Sequence, residues 1–242
     1  MRRPSVEQAT RGRKALAEFV GTAFLVAAIV GSGIAAQRLS PGDVGIELLE
    51  NTLATAAALA AVILAVGPVS GGHLNPVITL VDRIFGGVST EDAFIYISAQ
   101  FAGGVTGAIA ANTMFGRAVV SLSTHHRSSG PHLFAEVVAT FGLVLVVFGL
   151  TRSGRGSLAP FAVGAYIAAA YWFTSSTSFA NPAVTLGRMC SNTFAGIAPG
   201  SVAPFVLFEM VGGVLGACCI AVLYPQARRR AREFVNAHEE AV

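Results

Sequence analysis

Apolar residues run almost unbroken through Ala15–Ile34, Thr52–Val66, Ala93–Phe115, Leu133–Leu150, Leu158–Phe173 and Val202–Tyr224, with polar residues gathered between these runs. Most of the runs approach the ~20 residues that a helix needs to cross a ~30 Å hydrocarbon core. The pattern predicts six helical spans, because the long apolar–polar alternation of a transmembrane barrel is absent. Abundant Gly and Ala suit helices that pack closely in lipid. The first run is long, contains Glu18 and is followed by Gln37-Arg38-Leu39-Ser40-Pro41 rather than by a small-residue cleavage site. It therefore reads as a retained span and not as a signal peptide. The expected fold class is an all-α integral membrane protein.

Composition agrees: 242 residues that are 53% apolar and 12% charged, with a mean hydropathy of +0.65, carry too few charges to solvate a water-soluble domain of this size. Charge then orients the spans. Of 16 basic residues, all but Arg38, Arg117, Arg127 and Arg188 fall in the two terminal segments or in connections on their side, namely Arg83, Arg152 and Arg155. By the positive-inside rule both termini are expected in the cytoplasm, with the protein in the cell (inner) membrane. This topology explains the net charge of +3 without a nucleic-acid partner. The basic tails read as topology determinants, with weak attraction to anionic lipid secondary. Three cysteines, two of them adjacent (Cys218 and Cys219), make neither a disulfide framework nor a metal pattern, and no cofactor is expected.

The chain also resembles itself. Asn75-Pro76-Val77-Ile78-Thr79-Leu80 recurs as Asn181-Pro182-Ala183-Val184-Thr185-Leu186. Ala17-Glu18 recurs as Ala135-Glu136, and Gln100 with Gly103, Gly104 and Gly107 recurs as Glu209 with Gly212, Gly213 and Gly216. The matches keep their order. We divide a single domain, 1–242, into a basic amino-terminal segment (1–14), a first repeat (15–115), an outer loop (116–131), a second repeat (132–224) and a tail (225–242). Three spans per repeat is an odd number, so the second copy is expected upside down relative to the first. Inverted repeats place a pathway or site at the midplane. Each Asn-Pro follows a Gly- or Ser-rich connection and opens about ten helix-compatible residues, half a span. Asn at a cap and Pro in the first turn are what a helix start prefers. A helix start inside the bilayer is tolerated only where it lines a polar cavity. Two half-helices entering from opposite sides would bring Asn75 and Asn181 together at the centre, their positive ends converging.

The double motif, with Ser70-Gly71-Gly72-His73-Leu74 before Asn75 and with Glu18, Glu136, Gln100 and the Gly-rich third and sixth spans, resembles the aquaporin (major intrinsic protein) family over nearly the whole chain. The resemblance implies six spans with two re-entrant half-helices, a pore in each subunit of a homotetramer, and passive flow of water or small uncharged solutes. The amides of Asn75 and Asn181 would donate to a passing oxygen while the converging dipoles oppose cations. Pro76 and Pro182 would start the half-helices. Glu18 and Glu136 would accept hydrogen bonds from the broken backbone, or else relay protons.

Two departures stand out. Val77 replaces the usual Ala, adding two methyl groups where the half-helices pack. Val184 replaces the Arg that in most of the family faces the outer constriction, and three residues beyond Asn181 it should share that face. The other filter positions, carried over by spacing, are Thr55, Ser178 and, in the fifth span, Tyr171 in preference to Ala169. That ring has no full charge and should be wider and less hydrated than a water filter. It resembles the filter of bacterial aquaglyceroporin-like channels associated with arsenic resistance, which implies arsenite, methylarsenite and polyols as solutes, with glycerol, urea or water also plausible.

Arg188, two turns beyond Asn181, either reaches the outer vestibule or binds carbonyls or the lipid interface. His73 either lines the pore on the cytoplasmic side, contacting solute or responding to pH, or is structural. His125, His126 and His132 read as solvated, and Cys190 as reachable by thiol reagents from outside. Glu209 is the odd carboxylate, since its repeat mate Gln100 is neutral. No nucleophile–base or metal-ligand constellation points to an enzyme. An ion-coupled transporter is the competing class, with Glu18 and Glu136 as its symmetric acidic candidates.

Overall fold

The computed structural model describes residues 9–225. Among them eight α-helices follow in order: α1 (Arg11–Leu39), α2 (Val44–Ser70), α3 (Pro76–Ile84), α4 (Thr90–Met114), α5 (Gly130–Arg152), α6 (Ala159–Phe173), α7 (Pro182–Met189) and α8 (Pro199–Leu223). Six are long and apolar enough to cross a membrane. The other two, α3 and α7, have 9 and 8 residues. At ~1.5 Å per residue they extend ~12–14 Å, less than half a hydrocarbon core.

The spans outrun the apolar stretches because caps, not hydropathy, end a helix. Thr10 Oγ1 accepts from Arg13 N, so α1 starts at Arg11, inside the segment expected as a tail. Arg11 there pairs with Glu91 at 2.6 Å and Asp92 at 3.0 Å, tying the start of α1 to the start of α4. Asp43 caps α2 by accepting from Ile46 N, well ahead of the first apolar run in that span. Ser129 caps α5, which takes Gly130 and Pro131 from the expected outer loop. The basic residues Arg2, Arg3, Arg228, Arg229, Arg230 and Arg232 lie outside the described residues.

The two halves use one packing scheme. α1 lies along α4, and α5 along α8. A Cβ added at Gly103 or Gly107 of α4 would run into the Phe19 and Ala23 carbonyls of α1, and one at Gly212 of α8 into the Val137 carbonyl of α5. Close backbone approach over small residues is how helices associate in lipid, where the hydrophobic effect gives no drive between them. The half-helices cross between the halves: α7 packs on α4 of the first repeat as well as on α8, and α3 on α8 of the second as well as on α4. Their amino-terminal ends meet in the interior, with Val77, Ala183 and both prolines buried.

Candidate functional site

Each half-helix is started by the residue expected to cap it. Asn75 Oδ1 accepts from Val77 N at 2.9 Å, and Asn181 Oδ1 accepts from Ala183 N at 3.0 Å and Val184 N at 3.3 Å. The amide nitrogens are then used across the junction. Asn75 Nδ2 donates to the Ala180 carbonyl and Asn181 Nδ2 to the Leu74 carbonyl, both at 2.8 Å. An amide carries two N–H donors. One from each Asn pins the two half-helices back to back, and the other is left for the cavity that both side chains line.

This reciprocity requires unusual backbone. Leu74 and Ala180, each just before an Asn, have φ of 51° and 48°. A left-handed conformation costs a non-glycine residue ~1–2 kcal/mol, so the surroundings must impose it. The buried carboxylates impose it. Glu18 accepts from His73 N at 3.0 Å, Leu74 N at 2.7 Å, Ser70 Oγ at 2.6 Å and Gln100 Nε2 at 2.7 Å. Glu136 accepts from Phe179 N at 3.0 Å and Ala180 N at 2.7 Å. Both carboxylates are fully buried, neither lines the cavity, and each is occupied by the backbone that leads into a half-helix.

The symmetry reaches Glu209. Gln100 Nε2 also donates to Thr79 Oγ1, at 2.9 Å, on the first half-helix. In the second copy Thr185 Oγ1 donates to Glu209 Oε1 at 2.6 Å, and Asn181 N donates to the same oxygen at 3.2 Å. Glu209 Oε2 has no donor among the described residues.

The cavity, of about 110 Å³, runs past both half-helix ends. Much of its wall is apolar and comes from positions four apart on single helices: Leu25 and Ile29 on α1, Leu59 and Ile63 on α2, Val163 and Ile167 on α6. Four-residue spacing keeps side chains on one helix face, and this periodic signal in the sequence could have located the wall. Beyond Asn181, Thr55, Tyr171, Ser178 and Val184 all line the same cavity. Tyr171 Oη donates to Thr55 Oγ1 at 3.3 Å, and Ser178 Oγ is buried without a partner among the described residues. Ala169 is exposed and is not among the lining residues.

Arg188 lines the cavity one turn past Val184 and also binds a carbonyl, its Nε donating to Ala195 O, so the two readings of this residue are compatible. Its guanidinium carbon lies 3.5 Å from the centre of the Phe179 ring. Sequence reasoning passed over Phe179, and also Arg127, which donates to the Gly196, Ser176 and Phe194 carbonyls and holds the outer loop against the connections on both sides of α7. On the opposite side of the centre His73 lines the cavity, with Nδ1 3.1 Å from Thr79 Oγ1 and Nε2 3.6 Å from Asp82 Oδ2. His125 and His126 are exposed, as expected, whereas His132 sits in the first turn of α5, its Nδ1 2.9 Å from Ser129 Oγ. The expectation for Cys190 fails: it caps the end of α7, is buried, and burial pushes its thiol pKa up, disfavouring the reactive thiolate.

Comparison with known proteins accords with this geometry. The Major intrinsic protein family model matches residues 5–180. The chain is 43% identical over 211 residues to the aquaglyceroporin AqpS of Rhizobium meliloti, covering 87% of this chain and 88% of that one. It is 30% identical over 225 residues to human aquaporin-5, covering 86% and 78%. Among solved structures, the aquaglyceroporin from Plasmodium falciparum superposes with a TM-score of 0.71 at 19% identity, covering 90% of this chain and 99% of that one.

Proposed function

The chain belongs to the major intrinsic protein family and is a multi-pass membrane channel for small solutes, and from that premise we propose that its cargo is uncharged trivalent arsenicals, arsenite and methylarsenite, together with polyols. The observation that carries this reading is Val184 in the outer cavity wall, which it shares with the hydroxyls of Thr55 and Tyr171. A wall that offers both hydroxyl partners and an aliphatic residue suits a solute with both kinds of face. Arsenite is a neutral trihydroxide at physiological pH, and methylarsenite exchanges one hydroxyl for a methyl group. Asn75 and Asn181 form the pore centre, each offering one amide N–H. Thr55, Tyr171, Ser178 and Val184 form the filter, and Glu18, Glu136, Pro76 and Pro182 hold the half-helices.

Ion coupling finds no support, because Glu18 and Glu136 spend their lone pairs on backbone N–H groups outside the cavity. The arginine distribution supports cytoplasmic termini in the cell (inner) membrane. We take the working unit to be a homotetramer with one pore per subunit. A glycerol and water channel without an arsenic role is the second reading, favoured by the names of the relatives.

The experiment is flux of water, glycerol, arsenite and methylarsenite into proteoliposomes carrying wild type or Val184→Arg. The substitution should slow glycerol and methylarsenite ~10-fold, equivalent to ~1.4 kcal/mol, and water much less. Glycerol and water flux without arsenite or methylarsenite flux selects the second reading. Equal fluxes of all four solutes in both proteins would remove position 184 from the filter.

A further inference from the structure

We infer that Arg188 is the fixed cation and fork-shaped donor of the outer constriction, standing one helical turn farther from the pore centre than Val184 and selecting neutral solutes that carry two neighbouring hydroxyl oxygens. The inference rests on the channel reading and deepens it.

Two arginines, Arg188 buried and Arg127 half-buried, flank the Phe179 ring, and they differ in what their donors do. Arg127 spends its guanidinium on three carbonyls and does not line the cavity. Arg188 is only 2% exposed yet lines the cavity. Its one hydrogen bond to the described residues is from Nε to the Ala195 carbonyl, and Nη1 is buried with no partner among them. Among the described residues no carboxylate lies within ion-pair distance of it. A guanidinium keeps its charge and its donors, and a buried donor without an acceptor is costly. The group that can meet this demand is whatever passes through the cavity.

The geometry also says what that group should be. Nε is anchored, and the Phe179 face under the guanidinium carbon fixes its plane through a cation–π contact. The two terminal nitrogens are then held as a planar fork. Such a fork matches a pair of oxygens a short distance apart, which a vicinal diol or a trihydroxide presents and a monohydric solute does not. The same charge, which no carboxylate among the described residues contacts directly, faces a largely apolar cavity wall and repels cations there more strongly than it would in water. Val184 thus moves the filter's cation outward by a turn and leaves an aliphatic step beneath it.

The test uses the full-length protein in proteoliposomes, with glycerol as the diol probe and methylammonium, at mildly acid pH, as the cation probe. Arg188→Gln should raise methylammonium permeability ~10-fold or more. Arg188→Lys, which keeps the charge without the fork, should leave methylammonium permeability low while slowing glycerol. The double variant Val184→Arg with Arg188→Gln should bring methylammonium permeability back down, because a cation again stands in the passage. An unchanged methylammonium permeability in Arg188→Gln overturns the inference. So does one raised equally by Lys and Gln, and so does loss of all flux in all three variants, which would assign the guanidinium to the scaffold. Wild type with no glycerol flux above empty vesicles would instead defeat the channel reading itself.

Discussion

Asn181 makes three kinds of contact with one small amide: its oxygen caps α7, one N–H reaches the Leu74 carbonyl, and the other faces the cavity. None can be dropped without stranding a buried partner, which is why Glu136 matters although no solute meets it. Glu136→Leu leaves the Phe179 and Ala180 N–H groups buried and unpaired, at ~1–3 kcal/mol each, and thermal unfolding in detergent should begin well below that of wild type. Glu209→Gln should behave oppositely. The first repeat already carries Gln100 at the matching position, where its Nε2 donates to Glu18, and an amide at 209 replaces the unpartnered acceptor Oε2 with a donor of the kind Gln100 uses. We expect its melting temperature to match or exceed that of wild type; a loss as large as that from Glu136→Leu would show that the two repeats do not use these sites alike. At this scale the sequence was legible where symmetry applied, as for both Asn caps and both carboxylates that hold the backbone before them. Phe179 and Arg127 were not legible, because their roles depend on loop paths that carry no periodicity.

Among the elements, the half-helices were readable from their caps, and the two contact glycines from the repeat. Gly104 approaches the Ala183 carbonyl, while its mate Gly213 faces the side chain of Val77. The additional bulk of Val77 therefore lies over a glycine in the other repeat, which accounts for its tolerance where Ala is usual. Gly213→Ala should cost ~1–3 kcal/mol by overpacking against Val77. Adding Val77→Ala should recover most of that loss in a double-mutant cycle of thermal stability. Additive effects of the two changes would place the strain elsewhere. Helix lengths were the part that hydropathy misjudged. Apolar runs record where lipid or protein covers the chain, whereas Thr10, Asp43 and Ser129 decide where hydrogen bonding begins.

For the whole molecule, orientation in the membrane is the open prediction. In a background with Cys218 and Cys219 replaced, a cysteine introduced at Thr124 should react with an impermeant maleimide on intact cells. One at Ser153 should react only after lysis, and buried Cys190 should stay silent in both conditions. The reverse pattern would overturn cytoplasmic termini. Six spans, an inverted duplication, two half-helices and a Val three residues beyond the second Asn were all determined by the sequence alone, because hydropathy, helix capping and repetition are properties of local residues and their spacing. Only the tertiary structure decided that each Asn bonds the backbone before the other, that Leu74 and Ala180 are held left-handed by buried carboxylates, and that Arg188 keeps unpaired donors beside the aliphatic Val184. Those facts join residues far apart in the chain, and whether a buried donor finds an acceptor depends on packing that no stretch of sequence contains.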